Sequence, residues 1–270
     1  MQADRSEPAV RPGEPASTAV PRLLEHYGGQ LYSLALRLCR SREDAEDLVQ
    51  EVFLQAFRKW HQFGGRSHPR TWLYTIAARA CRRMHRRRSG QPRRIAPLHE
   101  VAPFLENRLA QIPQGGADAL SDRVRRESLE ALQQALASLP MNYRLPLILK
   151  EIVDIPLADV AAILGLKEGT LKARLHRGRL RLRKAVVGHL PSRPGPSPAY
   201  PLQVCLDLLA AKQEALDRGV TFPMQQEIIC DRCRTVLASL DLTRELCERL
   251  GEGRLPVGLR RRLSQHLAGG

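Results

Sequence analysis

The sequence predicts an all-α protein: two small helical domains joined by a linker, followed by a small helical, cysteine-containing C-terminal block. Three observations lead there. Apolar residues recur at helical spacing, no segment makes a convincing strand, and the helical stretches are parted by runs rich in Pro and Gly. At 270 residues the chain accommodates two or three domains of ordinary size, and no internal repeat divides it.

Charge separates the front of the chain from its end. The net charge is +15, yet residues 201–270 carry ten Lys or Arg against nine Asp or Glu, so the first two hundred residues hold nearly all the excess. A polyanion is the partner such a distribution predicts for the front. No apolar run reaches the length of a bilayer span and the N-terminus lacks a signal peptide's apolar core, so the expected location is the cytoplasm.

Residues 1–20, rich in Pro, Ala and charge without periodicity, are expected to be a disordered tail. The first helical block is 21–88. Ser41, with Asp44 three residues on, begins a helix, and Ala45, Leu48, Val49, Val52, Phe53, Ala56 and Phe57 form its apolar stripe. Opposite lie Glu43, Glu46, Asp47, Gln50, Glu51 and Gln55, either a surface for a protein partner of complementary charge or a solvated face. A Gly-containing loop then leads into a helix that turns Trp72, Leu73, Ile76, Ala77 and Ala80 inward. Its exit carries Arg79, Arg82, Arg83, Arg86, Arg87 and Arg88, enough to engage several phosphates. The aromatics Trp60, Phe63, Trp72 and Tyr74 either line a site for an unstacked base or complete the core. Cys39 and Cys81 sit alone on apolar faces as core residues.

Residues 89–121, with Pro92, Pro97, Pro103, Pro113 and Gly115-Gly116, form a linker, and helices resume at Asp122 and run to 189. Within them lies a helix-turn-helix at 156–183. Leu157, Val160, Ala161 and Leu164 make the first apolar face, Gly165 ends that helix, and Leu171, Leu175 and Leu182 begin the next. The second helix carries Lys172, Arg174, Arg177, Arg179, Arg181 and Arg183 toward phosphates, with Glu168, Thr170, Lys172 and Ala173 placed to read base edges.

A Pro-rich connector, 190–201, precedes the third block, 202–270, which holds Cys205, Cys230, Cys233 and Cys247. Cys230 and Cys233 form a CxxC at a helix start, where the dipole favours thiolates, and Cys205 opens the preceding helix to make a three-sulfur set. Metal or redox chemistry and inert packing are both compatible with this pattern. The terminal LPVGLRRRLSQHL is an amphipathic basic helix that either docks on the chain's own acidic helix or stays solvated.

Taken in order, DAEDLVQEVFLQAF, RTWLYTIA with its Arg-rich tail, LPMNYRLPLIL and ADVAAILGLKEGTLKARLHRGRLRLR resemble the extracytoplasmic-function (ECF) sigma factors, over residues 22–187. The resemblance implies that 21–88 is sigma region 2, which grips the β′ clamp helices of bacterial core RNA polymerase through Asp47, Gln50 and Glu51 and melts the minus-ten element. It implies base capture by the loop from Phe63 through Arg66 to Arg70, and backbone contacts by Arg79, Arg83 and Arg86. Family members commonly carry Asn and Asp where this chain has Arg79 and Arg83, which leaves its base preference open. Residues 122–189 become region 4, contacting the polymerase β flap and reading the minus-thirty-five element through Thr170, Lys172, Arg174 and Arg177. No bond chemistry is required of such a protein, so an enzyme is not expected.

The third block looks like the zinc-binding anti-sigma fold, an upstream Cys followed by His-x3-Cys-x2-Cys. Cys205, Cys230 and Cys233 are its implied zinc ligands. Gln226 stands at the His position, leaving Cys247, Glu227 or His266 as the fourth ligand. Such a block regulates the sigma factor in cis by closing it, or stabilises the polymerase complex, and a separate anti-sigma factor is a further partner. Two rival readings are a polymerase-independent helix-turn-helix regulator, which would bind symmetric half-sites, and a cysteine-dependent enzyme, for which neither a βαβ pattern nor a suitable His is present.

Overall fold

The computed structural model describes residues 10–39, 41–86, 103–105, 108–197, 199–223, 229–251 and 254–268. Among the described residues ten α-helices run in order: α1 Ala16–Leu38, α2 Arg42–Arg58, α3 Pro69–Arg86, α4 Asp122–Ser138, α5 Met141–Leu147, α6 Leu157–Leu164, α7 Glu168–Val187, α8 Leu202–Arg218, α9 Asp231–Leu250 and α10 Val257–Ala268. Two short strands, β1 Arg108–Ala110 and β2 Ser192–Pro194, pair antiparallel. The chain divides into two compact units, one of Met1–Gln91, Asp159–Gly165 and Gly251–Gly270, the other of Pro92–Ala158 and Leu166–Leu250.

In the first unit α1 starts at Ala16 behind Pro15, so the last residues of the segment expected to be disordered are helical. Ala19 and Val20 are buried there, and Trp60 Nε1 donates to Glu14 O at 2.7 Å; a few apolar residues bind the tail without any periodicity to announce it. The cap of α2 forms as expected, Asp44 N–H donating to Ser41 Oγ at 3.1 Å. Its stripe of Ala45, Leu48, Val49, Val52, Phe53 and Ala56 is wholly buried against α1 and α3. The basic end segment docks rather than staying solvated. Leu259, Leu263 and Leu267, spaced four apart, are buried as α10 packs on α1 and α2. Arg262 pairs with Glu46 at 3.0 Å and Arg260 with Glu25 at 3.6 Å.

The second unit packs α4, α5, α7, α8 and α9 with a π-helical turn, Ile148–Ile152. Its apolar core joins Leu180 of α7, Leu209 and Leu216 of α8, Val236, Leu237 and Leu240 of α9, and Phe104 from the segment expected to be a linker. Arg232 of α9 donates to Phe104 O at 2.9 Å and to Pro196 O at 2.8 Å, and Ala117 N–H donates to Glu245 Oε2 at 2.7 Å. The described parts of linker and connector are therefore bound to α9. They also supply the two strands that the sequence analysis did not anticipate, in the register Leu109↔Arg193, with Arg108 Nε donating to Ser192 Oγ at 2.9 Å. Three-residue strands are too short to show alternation, and Pro194 weakens the strand signal further.

Close approach of α7 to α5 depends on Gly178. A Cβ there would stand 3.0 Å from Leu147 Cγ and closer still to Cδ1, inside a fully buried contact. Gly178→Ala is expected to cost about 1–3 kcal/mol by overpacking, despite its better helix propensity. A thermal melt at or above the parent's would show that the helices can part freely.

Candidate nucleic-acid interface

Leu171, Leu175, Gly178, Leu182 and Val186 are buried and define the inner side of α7. At about 100° per residue, Ala173 lies on the outward side, between two flanks. One flank carries Thr170, Arg174, Arg177 and Arg181, all exposed or half-exposed. The other carries Lys172, His176 and Arg179, and α8 lies along it.

Each basic side chain on this second flank has a carboxylate from α8. Lys172 Nζ meets Glu214 Oε2 at 2.8 Å, His176 Nε2 stands 3.4 Å from Asp217 Oδ2, and Arg179 Nη1 stands 2.7 Å from Asp217 Oδ1. Gln213 Oε1 accepts from Arg179 Nη1 at 3.0 Å, and Glu151 Oε1 accepts from Arg179 Nη2 at 2.7 Å. Arg183 is 1% exposed, its Nε donating to Ser239 Oγ at 2.6 Å. The expectation that Arg179 and Arg183 face phosphates is thus corrected: both are buried, Arg179 at 4% exposure between two carboxylates. Sequence reasoning missed Glu151, Glu214 and Asp217. The only signal for the last two was an acidic pair three residues apart on a helix of a nearly neutral block.

The carboxylates are held as anions. The hydrogen bond from Lys172 keeps the Glu214 carboxyl below its ordinary range, with Arg218 adding to it against the effect of burial. Burial by itself would raise the Asp217 carboxyl, but the close approach of His176 and the charge of Arg179 outweigh it and hold it low.

In the first unit Asp47 is exposed and Gln50 half-buried. Glu51 accepts from Gln55 and, at 2.8 Å, from Arg83, so a residue expected to meet polymerase is paired with one expected to meet DNA. Both are nearly half-exposed, a setting in which an ion pair contributes little. Arg66 and Arg79 are exposed and Arg70 is half-buried beside Tyr74. Arg86 ends α3, and its side chain lies outside the described residues, as do Arg87 and Arg88. Phe63 is 5% exposed, stacked on Trp60 at 4.8 Å and edge-on to Trp72 at 5.5 Å. Its ring closes an aromatic core, leaving the neighbouring 64–68 backbone and Arg66 as the open part of that loop.

Of the expected three-sulfur set in the C-terminal block, Cys205 and Cys233 touch, with Sγ atoms 3.3 Å apart, and all four cysteines of the block are free thiols. Cys247 shares α9 with Cys233 but stands fourteen residues on, about 21 Å along the helix axis, too far to join a common metal. Among the described residues no group of three or more His, Cys, Asp or Glu is arranged to hold a metal ion. Gln226 and Glu227 lie outside the described residues, so a fourth ligand is not in view. The thiols differ in character. Burial and then its two thiol neighbours push Cys233 far up, whereas for Cys230 burial is outweighed by hydrogen bonds, led by those from the Cys233 backbone N–H and thiol, which keep it low. Alkylation by iodoacetamide at neutral pH should therefore reach half-buried Cys230 before Cys205 or Cys233, with a rate midpoint below the ordinary thiol value of about 8.5. Peptide mapping that finds Cys233 modified first would refute this order.

A helical chain with a basic helix following a glycine-ended short helix, and an acidic-faced helical unit ahead of it, has the make-up of a sigma-type transcription factor, and the family matches agree. The Sigma-70 region 2 family model matches residues 23–91 and the Sigma-70, region 4 model matches residues 129–182. The ECF RNA polymerase sigma factor SigM of Mycobacterium tuberculosis is 33% identical over 172 residues, covering 64% of this chain and 79% of the relative. SigW of Bacillus subtilis, also an ECF RNA polymerase sigma factor, is 30% identical over 162 residues, 60% of this chain and 86% of its own length. Among solved structures, the co-crystal structure of the sigma factor RpoE in complex with the anti-sigma factor NepR from Bartonella quintana aligns at a TM-score of 0.44 and 28% identity, over 61% of this chain and 93% of the matched chain. The chain belongs to the ECF RNA polymerase sigma factor family. Both family models end before α8. No described helix is long and apolar enough to cross a membrane.

Proposed function

We propose that this protein directs bacterial core RNA polymerase, in the cytoplasm, to promoters whose upstream element is read by α7, while the unit of α1–α3 meets the polymerase and the opened strand. The reading rests on the two sigma-region matches in their proper order, together with the open flank of Thr170, Arg174, Arg177 and Arg181 on α7. Asp47, Gln50 and Glu51 are the proposed clamp contacts, and Arg66, Arg70 and Arg79 the proposed contacts to the melted element. The protein contributes binding energy to promoter opening and performs no bond chemistry itself.

The anti-sigma-like character of residues 202–270 belongs to the same proposal: α8 and α9 regulate in cis, and a separate anti-sigma factor is a further candidate partner. Cys205, Cys230 and Cys233 are the proposed zinc ligands, a reading that needs a fourth ligand from outside the described residues; metal analysis of the purified chain, finding about one zinc or none, decides it.

Run-off transcription with purified core polymerase on genomic fragments tests the function. Promoter-specific transcripts are expected from the full chain and should fall roughly tenfold or more when Arg174 and Arg177 are both changed to Gln, since each good contact is worth about 1–3 kcal/mol. Tight binding to symmetric duplex sites without polymerase, and no transcripts, would overturn it in favour of an ordinary regulator.

A further inference from the structure

An α-helix with side chains is about 10–12 Å across and the major groove about 12 Å wide, so a helix that enters it brings both flanks against the groove walls. In this protein one flank of α7 is open and the other is covered. Along the covered flank, Gln213, Glu214 and Asp217 of α8 follow Lys172, His176 and Arg179 in register. The Gln213 amide also donates to the His176 carbonyl at 3.4 Å. Just beyond, Leu180, on the outward side about 20° from Ala173, is buried with Leu209 and Leu216. Side chains of α8 thus occupy the flank that one phosphate wall would meet, and its carboxylates hold Lys172 and Arg179, the cations that such a wall would meet.

We propose that α8 is a built-in competitor of DNA for α7: Glu214 and Asp217 take the place of backbone phosphates on the Lys172 flank, and the groove is entered fully only when α8 lifts away. This rests on α7 being the DNA-reading helix and adds its regulation. The open flank makes the first encounter through Arg174, Arg177 and Arg181, and Lys172 becomes available afterwards. Glu214 is the accessible end of the lock, its side chain 35% exposed, whereas Asp217 is sealed in with Arg179. The carboxylates Glu214 and Asp217 stay ionised throughout the neutral range, so a competing polyanion has to displace charged groups.

The test uses the full chain and a labelled 30-base-pair duplex of random sequence, so that phosphates alone are the probe. Glu214→Gln and Glu214→Lys should bind about two- to fivefold and more tightly, respectively, the lower range being that of a part-exposed ion pair. The slope of log affinity against log salt should steepen by about 0.9 for each cation released to a phosphate. Lys172→Gln should weaken binding more in the Glu214→Gln background than in the parent, which a double-mutant cycle reads directly. Hydrogen exchange supplies a readout independent of substitution: amides of α8 should lose protection when duplex is added to the parent chain. Competition is overturned if Arg174→Gln weakens binding while Glu214→Gln and Glu214→Lys leave it unchanged with native melts, or if α8 stays as protected with DNA as without. If Arg174→Gln and Arg177→Gln also leave duplex binding unchanged, the DNA-reading assignment of α7 fails and the competition with it.

Discussion

Ending the chain at Arg193 is expected to lower the melting temperature by about 10 °C or more, because the C-terminal helices are part of the second unit's core. Truncation uncovers Leu180 and Phe104, which lie in one cluster with Leu209, Leu216, Val236 and Leu240. Exposing two such side chains costs about 1.5–3 kcal/mol each, and each kcal/mol moves the midpoint by about 2–4 °C in a protein of this size. Arg183 loses Ser239, Arg179 loses Asp217, and β2 loses Pro194, the partner of Arg108. Circular dichroism melts and gel filtration of the two chains check this. Equal midpoints would mean that 202–270 is a separate domain on a tether. The distinction matters for any activity assay: a truncated protein that transcribes poorly has lost a core, so the sign of regulation is better taken from Glu214→Gln, which leaves that core intact.

Much of the fold was legible because it is periodic. The α2 stripe from Ala45 to Ala56 and the Ser41 cap follow from local spacing and hydrogen-bonding chemistry, and the structure has both. The glycine that ends α6 was equally plain, Gly165 adopting φ +63°. What local pattern does not carry is the partner of a charge. Lys172, Arg174, Arg177, Arg179, Arg181 and Arg183 look alike in sequence, and only the inward direction set by Leu171, Leu175 and Leu182 together with the arrival of α8 separates them into an open flank and a covered one. Asp217 lies thirty-eight positions after Arg179, and no propensity links the two. Phe63 illustrates the converse: an aromatic beside a basic loop suggested base stacking, while packing on Trp60 and Trp72 accounts for the ring. The strands and the bound part of the linker escaped notice because a few apolar residues seated singly leave no period to detect.

The sharpest separation of a structural arginine from a DNA-binding one comes from Arg179 and Arg177, two residues apart. Arg179→Leu strands Glu151 and Asp217 as buried neighbours without their shared cation, and is expected to cost about 3–5 kcal/mol, the range for breaking a buried ion pair from one side. Arg177→Gln, on the half-exposed flank, should change stability by less than about 0.5 kcal/mol and show its effect in DNA affinity instead. The pH dependence carries a definite sign. In the parent, Asp217 is faced by Arg179 and His176, with Glu151 on the other side of the same guanidinium, and its carboxyl is held low, so its stabilisation is present above the unfolded value of about 4 and lost as pH falls through the folded one. Without Arg179 the burial of Asp217 is less offset and its folded carboxyl rises, so the variant regains stability as pH falls toward 4, whereas the parent loses its share only below that. Urea midpoints of the two proteins should therefore converge between about pH 7 and pH 4. A gap that stays constant over that range, or a variant that melts like the parent but binds duplex weakly, would place Arg179 on the DNA instead of in the core.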